Sequence, residues 1–135
     1  MKKILIMLTV VLLLTACGLK DDFKLSISDK KVKSDDAWII NYTLKNNTKK
    51  EYTIASDFYL EKKNTSTNEW ESSDVEISFF PVSISLGSKK SYTGEIHGDQ
   101  IIPRLAVGTY RITKNIYDES SGEAIFIHSE EFVVE

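Results

Sequence analysis

Apolar and polar residues alternate with a period of two along most of this chain. The clearest run is Ala37-Trp38-Ile39-Ile40-Asn41-Tyr42-Thr43-Leu44-Lys45, where Trp38, Ile40, Tyr42 and Leu44 share one face and Asn41, Thr43 and Lys45 the other. Such alternation predicts a strand with one face buried, because successive side chains in a pleated strand point to opposite sides of the sheet. Asn46-Asn47-Thr48 interrupts it with residues whose short polar side chains bond backbone in turns. Residues 52–54 and 58–62 resume the pattern, and a polar loop at 64–68 leads to Trp70. Further strands are predicted at 75–80, 82–86, 91–96, 109–117, 124–128 and 130–134, separated by Pro81, Gly87-Ser88, His97-Gly98-Asp99 and Asp118-Glu119-Ser120-Ser121-Gly122. Pro81 marks an edge, a bulge or a break. The final strands form a hairpin with a loop of about five residues.

No helix of useful length interrupts these seven or eight short strands, and turn signals recur about every ten residues, so the expected class is all-β. A two-layer antiparallel sandwich is the expected architecture, with an up-and-down barrel or a jelly roll as the competing closures. Neither a repeat nor a low-complexity tract is present.

The N-terminus departs from this pattern. Met1-Lys2-Lys3 precedes an apolar run from Ile4 to Leu14. Its length fits the core of a secretion signal, roughly 7 to 15 residues, and falls short of the 18 or so of a spanning helix. Leu14-Thr15-Ala16-Cys17 and then Gly18 follow directly. This stretch resembles the lipobox of bacterial lipoproteins. The resemblance implies cleavage before Cys17 and lipid attachment to its sulfur. On this reading residues 1–16 are a signal peptide, 17–22 a lipidated cysteine with a short tether, and 23–135 one β domain. Two acyl chains would hold such a protein stably where one is marginal. The expected location is the extracytoplasmic face of the cell membrane. Cys17 is the only cysteine, so no disulfide is available to the domain.

Leu105-Ala106-Val107-Gly108-Thr109-Tyr110-Arg111-Ile112 is the most informative stretch after the leader. It resembles the tyrosine corner of immunoglobulin-like sandwiches, in which a Tyr hydroxyl turns back onto upstream backbone. Leu105 would then plug the core, Gly108 would permit a tight approach, and Tyr110 would bury its ring. Bacterial immunoglobulin-like domains of exported and membrane-anchored Gram-positive proteins have a similar pattern, L-x-x-G-x-Y-R-I-x-K followed by S-E-E-F. Leu105, Gly108, Tyr110, Arg111, Ile112, Lys114, Ser129, Glu130, Glu131 and Phe132 match it. The resemblance implies an immunoglobulin-like antiparallel β-sandwich over 23–135 and carries no catalytic residue with it. Antibody-type domains place cysteines on two facing strands; Ile40 or Tyr42 and Ile112 stand in those neighbourhoods here, so packing alone must hold the core.

Charge and reactive residues narrow the function. The formal charge is −3, and it becomes more negative when Lys2 and Lys3 leave with the leader. No basic block remains, so nucleic acid is not an expected partner. His97 and His128 are the only histidines, too few for a zinc site without several further ligands. The acidic pairs Asp21-Asp22, Asp35-Asp36, Asp118-Glu119 and Glu130-Glu131 follow no calcium-loop spacing and read as loop and edge charges. No nucleophile elbow is present. No cofactor and no enzymatic activity are expected. The expected role is a binding or accessory module at the cell envelope, partnered by an envelope protein or cell-wall material. A structural or inhibitory lipoprotein that occupies another exported protein is the alternative, and an enzyme of unknown type is the outsider. The polar loops 64–69 and 118–123 are the expected contact regions, since they sit on a rigid scaffold.

Overall fold

The computed structural model describes residues 22–35, 37–79 and 82–135; the leader, Cys17, most of the tether and Pro81 lie outside these. The described chain is built from β1 (Phe23–Ile27), β2 (Lys31–Val32), β3 (Ile39–Asn46), β4 (Tyr52–Ala55), β5 (Tyr59–Lys63), β6 (Trp70–Ser72), β7 (Glu76–Ile77), β8 (Ser83–Leu86), β9 (Ser91–His97), β10 (Ile101–Ile102), β11 (Gly108–Tyr117), β12 (Ala124–His128) and β13 (Phe132–Val134). A single 3₁₀ turn at Gly98–Gln100 is the only helical element among the described residues.

One layer is the antiparallel sheet β1-β3-β9. The other is organised on β11. Along one edge of β11 lie β5, opposite Tyr110 to Thr113, and β4, opposite Ile116 and Tyr117; along the other lie β13 and then β12. β8 extends the sheet beyond β4, and β6 extends it beyond β5. The seven or eight expected strands thus become a larger number of short segments, because the short strands β2, β6 and β10 join those that the alternation predicts. Of the described part of the expected strand at 75–80, Glu76–Ile77 forms β7, which pairs with β10. One pairing is not antiparallel. After β1 the chain crosses to the second layer, and β2 runs parallel to β13, held by Val133 N–H to Lys30 O and Glu135 N–H to Val32 O.

The core lies between the layers. Ile40, Tyr42 and Leu44 project from β3, and Ile112, Ile116, Phe132 and Val134 meet them from the β11 sheet, all at or near zero exposure. Tyr42 needs an unusual neighbour. Its cross-strand partner is Gly94, where a Cβ would lie 2.3 Å from the ring's Cζ and hydroxyl. Only a residue without a side chain lets the ring lie across β9 there.

Among the described residues two polar side chains, Asn46 and Lys114, are fully buried, and both are satisfied. Asn46 donates to the carbonyls of Lys50, Leu86 and Gly87 while accepting from Thr48, so it ties the β3–β4 turn to the end of β8. Lys114 occupies an inward position of β11 between Ile112 and Ile116. Its ammonium donates to the Ala55 carbonyl at 2.6 Å and the Asp57 carbonyl at 2.8 Å, at the break between β4 and β5. The rings of Tyr42 and Tyr92 stand 5.4 and 5.6 Å from Nζ. A lysine thus supplies donors to carbonyls near the point where the strand is interrupted. Burial lowers its pKa to about 8, against the opposing pull of Asp57.

Candidate functional site

The outward face of the β11 sheet collects the side chains with the most chemistry. Alternation places Tyr59, Glu61 and Lys63 of β5 outward, with Arg111, Thr113, Asn115 and Tyr117 of β11 and Phe126 and His128 of β12. Register then makes neighbours of them: Arg111 opposes Glu61, Thr113 lies between Tyr59 and His128, and Asn115 opposes Phe126.

Glu61 is the hub. Its carboxylate accepts from Arg111 Nε and Nη2, both at 3.3 Å, one on each oxygen, and from the Thr113 hydroxyl. His128 Nδ1 is 2.8 Å from Thr113 Oγ1 and 3.3 Å from Glu61 Oε1. Because the threonine proton is committed to Glu61, Nδ1 of His128 must carry a proton and donate to the threonine oxygen, and in the neutral ring Nε2 is then the acceptor. The Arg111 guanidinium lies over the Trp70 ring on β6, 4.5 Å from its centre, in a cation–π contact.

Electrostatics keeps the cluster neutral overall. Burial raises the Glu61 carboxyl pKa, but hydrogen bonds from Thr113 and Arg111 outweigh it and hold the group ionised, below its ordinary value. Burial, and then the Arg111 charge, lower the His128 pKa, with Glu61 opposing. One cation and one anion therefore cancel, beside a neutral imidazole. An open cleft of about 700 Å³ lies over the cluster, lined by these residues and Ser72, and by Tyr59 and Phe126 on opposite flanks. Tyr59 is 48% and Phe126 60% exposed, unusual for rings of this size on a polar floor.

The residues expected from the sequence lie elsewhere. Leu105 is buried; Tyr110 is 2% exposed and its hydroxyl donates to the Ala106 carbonyl at 2.7 Å, while its ring stacks on Phe132. At Gly108 a Cβ would meet the Lys62 side chain, 2.7 Å from Cε, so the close approach there is to a flexible chain end. His97 pairs with Glu95 at 2.8 Å on the other sheet, far in register from His128. Among the described residues no three His, Cys, Asp or Glu side chains gather as metal ligands would. The two loops expected to make contact do not converge. The 64–69 loop follows Lys63 at the Gly108 end of β11, and the 118–123 loop leaves its Tyr117 end, roughly 30 Å away along a ten-residue strand. Each is also bound up internally, Asn64 accepting from Ser66 and Thr67, and Asp118 from Ser120 and Lys50, with Gly122 supplying the positive φ. The cleft escapes a sequence reading because its members are the outward halves of strands whose inward halves carry the pattern. Tyr59, Arg111, Phe126 and His128 on polar phases are the available signal.

The sequence from residue 20 to residue 130 matches the family described as bacterial Ig-like domain. The chain belongs to that family. Its membership agrees with the two-layer β architecture and with an accessory or binding role for an Ig-like domain. No curated protein matches it. Among solved structures, this Ig-like chain is similar to the alkylpurine DNA glycosylase AlkC of Pseudomonas fluorescens, at 16% identity and a TM-score of 0.48, covering 92% of this chain and 33% of that one. It is also similar to a β-glucosidase of Listeria innocua, at 15% identity and a TM-score of 0.34, covering 83% of this chain and 16% of the enzyme. The Ig-like chain thus spans a third or less of either structure, and neither likeness carries an argument about activity.

Proposed function

We propose that this Ig-like domain is a binding module held at the extracytoplasmic face of the cell membrane by lipid on Cys17, and that it holds its ligand in the cleft of the β5-β11-β12 face without altering it. The observation that carries the reading is the preorganised Glu61–Arg111–Thr113–His128 floor between two exposed rings. A sheet face with no role beyond the fold gains nothing from exposing Tyr59 and Phe126 above a network whose members are already oriented. The basic start, the apolar run and Leu14-Thr15-Ala16-Cys17 support the anchor.

Two measurements test this. Cys17→Ser should move the protein from the membrane fraction to the soluble or secreted fraction and abolish labelling with a radioactive fatty acid; lipid-labelled protein in the mutant would remove the anchor. Full-length protein in detergent should co-sediment with purified cell-wall sacculi or retain a detergent-extracted envelope protein. A Tyr59→Ala, Phe126→Ala double variant should lose that retention while keeping its thermal midpoint. Equal retention by the double variant would place binding elsewhere.

A further inference from the structure

We propose that the cleft takes a neutral saccharide, with sugar rings against Tyr59 and Phe126 and their hydroxyls on Arg111, His128 and Ser72. This rests on the cleft being the binding site and names its ligand class.

Charge argues first. Arg111 and Glu61 are spent on each other, with 19% and 20% of their side chains exposed, and Nδ1 of His128 is taken up by the Thr113 hydroxyl. A phosphate or an acidic or basic peptide would have to break a partly buried ion pair to find its counter-charge, and the partner left behind would be unpaired. A neutral ligand meets no such cost. Charge complementarity at this site is therefore complementarity to zero.

The polar floor then selects among neutral ligands. Of the five N–H donors of Arg111, Nε and one on Nη2 go to Glu61, which leaves three for a ligand. His128 Nε2 offers a lone pair, and the Ser72 hydroxyl can donate or accept. Donors and acceptors alternate across neighbouring strands, and vicinal hydroxyls, each able to donate and accept, match such an array. A peptide backbone presents its groups at strand spacing and is better served by a sheet edge than by a face of side chains.

The flanks supply the apolar half. Tyr59 on β5 and Phe126 on β12 stand on either side of β11, two strand spacings apart across the sheet and two residues apart along it, or about 12 Å in all. Rings so placed can stack on the C–H faces of two sugars separated by one unit of a glycan chain while hydroxyl edges reach the floor, the mixed apolar and polar lining typical of small-molecule sites.

The test is calorimetric titration of full-length protein in detergent with chitotetraose, cellotetraose and maltotetraose, and with a neutral Ser/Ala/Tyr peptide and inorganic phosphate alongside. At least one saccharide should bind, with an affinity that Phe126→Ala weakens about tenfold. Its affinity should change less than about twofold between roughly 0.05 and 0.5 M salt, since no net charge is engaged. Both aromatic positions are exposed, so thermal midpoints should match wild type. If no saccharide binds, or the peptide or phosphate binds in their place, the saccharide assignment is overturned. The cleft still stands in that case if Phe126→Ala abolishes retention on sacculi or envelope protein. If a saccharide binds equally well to the Tyr59→Ala, Phe126→Ala double variant, the cleft itself is overturned along with the proposal.

Discussion

Replacing Lys114 with methionine should remove a specific pH dependence from the stability of the domain. The lysine is wholly buried, and its pKa falls from 10.5 to about 8 because burial disfavours the charged form. A base whose folded pKa is depressed opposes folding while it is charged: between pH 8 and 10.5 the unfolded chain holds a proton that the folded one has released. Stability therefore rises with pH across that window. Each tenfold loss of proton affinity on folding is worth about 1.4 kcal/mol, so the cost near neutral pH is about 3 kcal/mol, of which about 2 kcal/mol is recovered by pH 9.5. Methionine has similar length and no charge, so it removes both the cost and the recovery. It also leaves the Ala55 and Asp57 carbonyls without their donor, a loss of about 1 to 3 kcal/mol each. Near pH 7 the two effects largely offset each other; near pH 9.5 the variant should be clearly the less stable. Urea denaturation of the lipid-free domain at several values between pH 7 and 9.5 reads this directly. The upper limit matters, because burial raises the Tyr42 pKa and stability is lost once unfolded tyrosines ionise above pH 10. The quantity of interest is the difference between wild type and variant, in which Lys50 and the tyrosines shared by both cancel. A difference that stays constant from pH 7 to 9.5 would show that Lys114 does not titrate in this range.

Gly94→Ala should destabilise the domain by about 1 to 3 kcal/mol in chemical denaturation, since its Cβ would overlap the Tyr42 ring; an unchanged midpoint would mean the ring does not lie across β9. Tyr110→Phe should cost about 1 to 3 kcal/mol by stranding the Ala106 carbonyl, and a wild-type midpoint would show the hydrogen bond to be dispensable. Glu61→Gln should lower the His128 pKa further, because the carboxylate is the one group that opposes its depression; an NMR titration of the imidazole that moves upward instead would refute the arrangement of the cluster.

The inward halves of the strands were legible in the sequence, and the outward halves were not. Ile40, Tyr42 and Leu44 are buried on one face as the alternation of β3 predicts, since a period of two leaves no other way to hide them. Where β4 gives way to β5 the sequence shows only Ser56-Asp57-Phe58, and nothing local reveals that the carbonyls at the break are met by a lysine carried on β11. Lys114 was visible as the final residue of the L-x-x-G-x-Y-R-I-x-K pattern and stands in phase with Tyr110, Ile112 and Ile116. A charge on an apolar phase was the sign that it is enclosed. The cleft was hidden for a different reason: Glu61, Arg111 and His128 come from three strands, and only the register of β11 with both neighbours brings them within hydrogen-bonding distance. The parallel β2–β13 pair was hidden for the same reason, being non-local and made of two residues on one side.

The position of β11 also fixes when this sheet can assemble. β4 and β5 precede it in the chain, β12 and β13 follow, and the contact from Lys114 to Ala55 closes a separation of 59 residues. β4 can pair with β8, and β5 with β6, before β11 is present, but only β11 joins the two pairs into one sheet, and closing so wide a loop makes that joining slow. In a chain that crosses a membrane N-terminus first, the pairs before Gly108 stay separate while the rest is still being threaded. Late joining of this kind leaves the edges of β4 and β5 that await β11 open to wrong partners at the exit until their central strand arrives.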